Sequence, residues 1–438
     1  MSHAHPASGH ASDSHAHGAH GNPPVRVNPA AVTFPPGAGR GLSALLLLIG
    51  AGAIVATVIG GLALPKEVGI KHAVSSYHVG FIFALGLSLG SLGMVMILNQ
   101  FNAGWTATLR RQLENAARLI PVCAVLGLPI LAIELAYDGV MFKWMSNELL
   151  KTDHLLQHKS GYLNEPFFVA RAILYFLIWS VLGTLLYNYS RKQDDTGDRN
   201  LSAKARFISS FGLVLFALST AFAGFDWLMS ADFHWFSTMW GVYFFAGNQV
   251  ACIALLILVA VFLRRAGKLE GMVTSEHFHD LGKLLLAFTV FWAYIGFSQY
   301  FLIWYSNIPE ETAWFVLRNS HGWQNAAWLL CVGHFIVPFL ILLWRAPKRT
   351  PLVLGAVAAW ILLMHAVDIF FIVRPNLTLT VPAYETSTGL QNWWIDLTGF
   401  VGPVALFLGL LVRQIVANPL IPMKDPRLAE ALEHKNYV

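Results

Sequence analysis

Ten long apolar segments alternate with short polar ones along this chain. They run from Gly41 to Leu64, His78 to Leu98, Leu119 to Tyr137, Phe167 to Tyr189, Phe207 to Met229, Thr238 to Leu263, Leu284 to Tyr305, Ala326 to Trp344, Leu352 to Val373 and Trp393 to Val412. Each approaches the roughly 20 residues that cross some 30 Å of hydrocarbon at the helical rise. In lipid, backbone amides need partners within their own segment, so uninterrupted spans of this length are helices. One such segment could be a buried core helix of a soluble enzyme; ten in series could not. The pattern predicts an all-α polytopic membrane protein, with ten transmembrane helices over residues 41–416 and polar tails at 1–40 and 417–438.

The chain is 56% apolar and 12% charged, against about 25% charged in a typical soluble domain. A net charge of +5 would suggest nucleic acid in a soluble protein. Here the basic residues sit in short loops, so the bilayer is the expected partner and nucleic acid is not. Of the 29 Lys and Arg, 20 lie in the two tails and the loops after even-numbered spans and 7 in the loops after odd-numbered spans; Arg171 and Lys283, counted with their spans, complete the total. That imbalance puts both termini on the cytoplasmic side. The first forty residues contain no cleavable signal pattern and too few apolar groups for a core, so they read as disordered. His3, His5, His10, His15, His17 and His20 fall there at irregular spacing, which defines no metal geometry.

Cys123, Cys252 and Cys331 are isolated, each inside a span. No C-x-x-C or C-x-x-C-H pattern exists to hold an iron–sulfur cluster or covalent haem. A b-type haem would need histidines paired at one depth, and only His334 and His365 lie well inside spans. A histidine on an apolar helix is more often a hydrogen-bonded packing residue. The chain is expected to bind no redox cofactor of its own.

Glu134, Arg171, Asp226, Asp368 and Asp396 lie within spans, where a charged group costs about 2.5–3.5 kcal/mol or more. With the termini inside, all five sit toward the outer ends of their helices. Asp138 follows Glu134 by four residues, and Asp368 follows His365 by three, so each pair would share a helical face. One reading is ion pairing at the interface, with Arg171 meeting a carboxylate; it suits Asp396 and Asp138. The other is a polar, proton-conducting pathway; it suits Asp226, His365 and Asp368, with His334 nearby. The inner half offers hydroxyls (Ser180, Thr184, Ser219, Thr220, Thr289) and few titratable groups, which favours an outward half-channel. On the seventh span Tyr294, Ser298, Phe301 and Tyr305 share a face with Gln299 beside it. They would either hold water and a polar head group or bond a neighbouring helix. Asp226 on the fifth span and Asp368 on the ninth match in depth and orientation. That match suggests two four-helix bundles, about 78–230 and 238–373, flanked by the first and tenth helices.

Ten of the 15 tryptophans cluster at outer helix ends: Trp144, Trp227, Trp235, Trp240, Trp304, Trp314, Trp323, Trp328, Trp393 and Trp394. An interfacial belt would appear on both faces, so this asymmetry suggests a large subunit docked outside.

Three stretches resemble a known family: Gly224-Phe-Asp-Trp-Leu-Met-Ser230 through His234-Trp-Phe-Ser-Thr238 to Gly241-Val-Tyr243; Ser298-Gln-Tyr-Phe-Leu-Ile-Trp-Tyr-Ser-Asn-Ile-Pro-Glu-Glu311; and Pro422-Met-Lys-Asp-Pro-Arg-Leu428 with Glu430. Together they resemble the ActF-type membrane subunit of alternative complex III, a bacterial quinol:electron-acceptor oxidoreductase, within the wider NrfD/PsrC-like group. The resemblance is best over spans five to seven and the carboxyl tail. It implies ten helices around two four-helix bundles, a sister NrfD-like subunit (ActC), and outer-face partners carrying haem c and iron–sulfur clusters. Quinol or menaquinol would be the substrate of the complex, with its site usually assigned to the sister and proton conduction to the ActF type. Here His78, opening the second span at the outer interface, is a candidate acceptor for a quinol hydroxyl; an interfacial histidine is the plainer reading.

Two other classes compete. An independent secondary transporter would use broken helices, and Gly127, Pro129 and Pro338 are breakers, although not at equivalent places in two halves. A purely structural anchor for outer redox subunits is the third reading.

Overall fold

Every apolar segment becomes part of a membrane-length helix in the computed structural model, which describes residues 27–379, 381 and 391–436. The histidines at 3–20 lie outside the described residues. The helices are α1 (Arg40–Ala63), α2 (Lys66–Gln100), α3 (Arg110–Ala136), α4 (Glu165–Thr196), α5 (Asn200–Ala231), α6 (Trp240–Arg265), α7 (Ser275–Ser306), α8 (Trp323–Leu343), α9 (Pro351–Leu377) and α10 (Trp393–Ala417). Among the described residues there is no strand. The protein is an all-α polytopic membrane protein.

Helices α2–α5 pack as one four-helix unit and α6–α9 as a second, while α1 and α10 pair with each other and lie against α2. The two units meet through α2 and α6. Burial separates centre from periphery: 94% of the apolar window of α2 and 78% of that of α6 is buried, against 17% of that of α1. Glycine permits the close central contact. A Cβ at Gly90 of α2 would overlap the Asn248 carbonyl of α6, and one at Gly80 would come within 2.8 Å of the Gly399 carbonyl of α10.

Several helices run well past their apolar stretches, because polar residues at their ends find partners inside the protein. Helix α2 begins at Lys66 rather than at His78. In its first turns His72, Ser75 and Ser76 are buried. Ser76 Oγ donates to Asp396 Oδ1 at 2.7 Å, and Arg374 and His72 meet the same oxygen at 3.1 and 3.2 Å. Helix α3 begins at Arg110, and its charged first turn is buried too. Arg110 pairs with Glu114 at 2.9 Å and with Asp425 at 2.5 Å, and Arg111 pairs with Asp194 of α4 at 2.7 Å. The Asp194 carboxylate also accepts the Met423 N–H at 2.7 Å. The Pro422–Leu428 motif is therefore a clamp that fastens the carboxyl tail beneath the first bundle.

Helix α8 is irregular. Pro338 has no N–H to give the preceding turn, and Leu330–Ile336, carrying His334, winds as a π-helix. The Trp360 indole of α9 donates to the Gly333 carbonyl of this wider turn at 2.7 Å.

The clamp sets a stability expectation. Burial pushes the Asp425 carboxyl up, but Arg110 and Arg427 outweigh that and hold it well below the usual carboxylate range. A depressed carboxyl contributes stability that is present above its unfolded value of about 3.9 and lost as pH falls toward the folded value. Asp425→Ala strands Arg110 and is expected to cost about 3–5 kcal/mol in thermal unfolding at neutral pH. An unchanged midpoint would show that the clamp contributes nothing.

Candidate functional site

The first bundle uses its buried charges to fix geometry. Arg171 on α4 grips Asp226 on α5 with both arms, Nε to Oδ2 at 2.8 Å and Nη2 to Oδ1 at 2.9 Å. Tyr175 adds its hydroxyl to Oδ2 at 2.8 Å, and the guanidinium lies 3.8 Å from the Tyr162 ring centre. Both Asp226 oxygens are taken, one side by a cation that cannot release its proton. Depth alone suggested a proton station; the geometry is a closed ion pair. Glu134 accepts the backbone N–H groups of Val140, Met141 and Phe142 at 2.8, 3.0 and 3.3 Å, clasping the loop after α3. Asp138 lies beyond the end of α3 with φ of 50° and is exposed, so it does not continue the face of Glu134. His78 sits more than three turns inside α2, not at its start, and its Nε2 donates to the Trp227 carbonyl at 2.8 Å.

The second bundle is built differently. Asp368 on α9 accepts the Tyr243 hydroxyl of α6 at 2.6 Å and the Trp292 indole N–H of α7 at 3.1 Å. Both donors are neutral. His365 Nδ1 stands 3.9 Å from Asp368 Oδ2. His334, placed by the π-helical turn of α8, lies with its ring centre 4.0 Å from that of Trp292 and 6.2 Å from that of His365. Among the described residues the ring nitrogens of both histidines have no hydrogen-bond partner, nor do the Asn248 amide and Gln249 Nε2 on α6. An unmade buried hydrogen bond costs about 1–3 kcal/mol. Two such histidines beside one carboxylate mark a place where geometry serves something other than stability.

The remaining predicted residues lie elsewhere. Ser298 donates to the Ile295 carbonyl of its own helix at 3.1 Å. Gln299 accepts the Ser237 hydroxyl at 2.7 Å, and Tyr305 is exposed and stacked on Phe301. None of the three joins the Asp368 cluster. Asp396 is paired, with Arg374 at 3.1 Å, and the carboxylate that Arg171 meets is Asp226. Of the ten outer tryptophans, Trp144, Trp227, Trp235, Trp240, Trp314 and Trp323 are buried, with Trp235 and Trp314 stacked at 4.6 Å. Much of the aromatic excess thus builds this protein's own end cap, and Trp304, Trp328, Trp393 and Trp394 are the exposed ones.

Sequence reasoning missed Tyr243, Trp292, Asn248 and Gln249. Tyr243 closes the Gly241-Val-Tyr243 motif, and Asn248-Gln249 is an amide pair inside an otherwise apolar span; either was a usable signal. Arg318 was missed as well. It is a buried cation that donates to the Phe371 and Ile372 carbonyls at 3.2 and 2.5 Å and caps the end of α9.

The two carboxylates should respond differently to substitution. Asp226→Ala leaves the Arg171 guanidinium buried and unpaired, and is expected to lower unfolding stability by about 3–5 kcal/mol. The double change Arg171→Met with Asp226→Leu should recover most of it. Equal loss in both variants would mean that the pair is not what Asp226 supplies.

Compared with protein-family models and with curated proteins, the chain matches none, so the functional reading rests on this geometry and on the motifs above.

Proposed function

We propose that the chain is an integral membrane subunit of a respiratory quinol:electron-acceptor oxidoreductase of the alternative complex III kind, and that its second bundle conducts protons. In this reading it sits in a bacterial inner membrane with both termini in the cytoplasm. Redox subunits with haem c and iron–sulfur clusters lie on the outer side, and a sister NrfD-like subunit lies beside it. The motif resemblances support the assignment to such a complex.

The observation that carries the proton role is the setting of Asp368. Its carboxylate has neutral donors only and a histidine at 3.9 Å, so either protonation state can be accommodated by small rotations of Tyr243 and His365. His365 and His334 provide further exchangeable sites, and the Asn248 and Gln249 amides at the α2–α6 contact offer groups that bind water. Asp226, locked to Arg171, supports the scaffold instead. Toward the face carrying the termini, Thr289 is tied to its own Leu285 carbonyl at 2.7 Å, which supports a half-channel rather than a complete path. The transporter reading loses ground, since Pro129 sits in α3 and the π-helical turn in α8, positions that do not correspond between the two bundles.

The test is Asp368→Asn in the assembled complex in sealed vesicles. The variant should assemble and oxidise quinol, with the protons translocated per electron at least halved. Assembly with a parental proton-to-electron ratio would remove Asp368 from any proton path.

A further inference from the structure

Helices α3 and α4 touch at one level and part farther along. A Cβ at Gly183 of α4 would come within 3.2 Å of the Ala117 carbonyl of α3. Beyond that contact, moving away from the chain termini, a cavity of about 420 Å³ opens between the two helices. Its rim faces the hydrocarbon: Leu128, Ile173 and Leu177 are 57%, 63% and 58% exposed. Its walls are apolar, with Phe81, Phe168 and Phe176 among them. The volume falls within the 300–1,000 Å³ typical of small-molecule sites. The apolar material in contact with that rim is lipid, so an acyl chain is the natural filling. What would make it a bound lipid rather than a passing one is a group that holds the head.

Arg118 stands where that group is needed. Arg118, Pro121 and Leu128 follow one face of α3, and Ile173, Leu177, Ser180 and Thr184 follow one face of α4. Arg118 and Thr184 therefore lie one turn below the slot, toward the end where Arg110 meets the carboxyl tail. Arg118 Nη1 donates to Thr184 Oγ1 at 2.5 Å and closes the slot at this level. The guanidinium lies 5.7 Å from the Tyr187 ring centre. Arg118 is half-buried, and among the described residues it forms no ion pair. Glu114, one turn further down, is taken by Arg110 and Arg111, and Asp194 by Arg111 and Arg191. A guanidinium at the edge of the apolar stretch with no carboxylate, beside a tyrosine, suits a phosphate, which accepts two parallel N–H bonds.

We propose that the slot between α3 and α4 holds one acyl chain of an anionic phospholipid from the leaflet on the side of the chain termini, with its phosphodiester on Arg118. The acyl chain fills the gap where the two helices part, and the phosphate takes the guanidinium N–H groups that Thr184 leaves open. Neither part suffices: the apolar slot accepts any tail, and Arg118 selects the charge of the head. The site lies in the first bundle and depends neither on the quinol reading nor on Asp368.

Binding is measured by native mass spectrometry on the full chain, with any partners that co-purify, stripped of lipid in mild detergent. The probes are phosphatidylglycerol, phosphatidylcholine with the same acyl chains, and glycerol 3-phosphate. Phosphatidylglycerol should fill one site ahead of the weaker annular positions. Phosphatidylcholine, whose ammonium would meet Arg118, should bind that site about tenfold more weakly, the worth of one charge-assisted bond. Glycerol phosphate, which has no tail, should not compete. Arg118→Gln should remove most of the preference between the two lipids. Ala124→Phe fills the slot from α3 and Ser180→Phe fills it independently from α4, and each should weaken both lipids about tenfold while leaving Arg118 in place. A parent without preference between the two lipids would overturn the proposal, as would an unchanged preference in Arg118→Gln. So would a first-site affinity unaltered in both filling variants, or displacement of the lipid by glycerol phosphate. These readouts involve neither quinol oxidation nor proton coupling, so either proposal can fail alone.

Discussion

Inside a bilayer a polar group has no water to fall back on, and the rest of this structure depends on how that constraint is met. The backbone meets it by being helical throughout the spans. The side chains meet it by finding each other, and they do so chiefly at the two ends of the bundle. At one end Arg110, Arg111, Glu114, Asp194 and Asp425 form a buried charge network that ties the carboxyl tail to α3 and α4. At the other, Arg171 with Asp226 and Arg374 with Asp396 fasten α4 to α5 and α9 to α10. These pairs fix how the helices meet. Exchanging a buried pair for well-packed apolar residues is often neutral, so the charges argue for specificity of assembly more than for net stability.

Against that background the exception is the second bundle. Asp226 and Asp368 occupy comparable places in the two bundles and have opposite surroundings. The first is held by a guanidinium and a tyrosine; the second by a tyrosine and an indole, with two histidines close by whose nitrogens have no partner among the described residues. One carboxylate is thus bolted to a cation, and the other is held by neutral donors.

The ten helices were legible because length and apolarity decide membrane insertion, and the two-bundle arrangement was legible from one matched pair of aspartates. Helix ends were not, since His72, Ser76, Arg110 and Arg111 are polar residues buried against partners far away in sequence. Spacing along one helix also misjudged Asp138, because the chain turns at positive φ just after α3. Asp226 and Asp368 look alike in sequence; only the neighbours supplied by α4, α6 and α7 separate them. Those neighbours come from tertiary packing, which no single-helix pattern encodes.

The difference between the two carboxylates is best measured by pH-difference infrared spectroscopy of the protein in lipid, comparing the parent with Asp226→Asn and Asp368→Asn. The account requires a carboxylic-acid C=O band that changes with pH, disappears in Asp368→Asn and persists in Asp226→Asn. A band that survives loss of Asp368 and vanishes with Asp226 would contradict it.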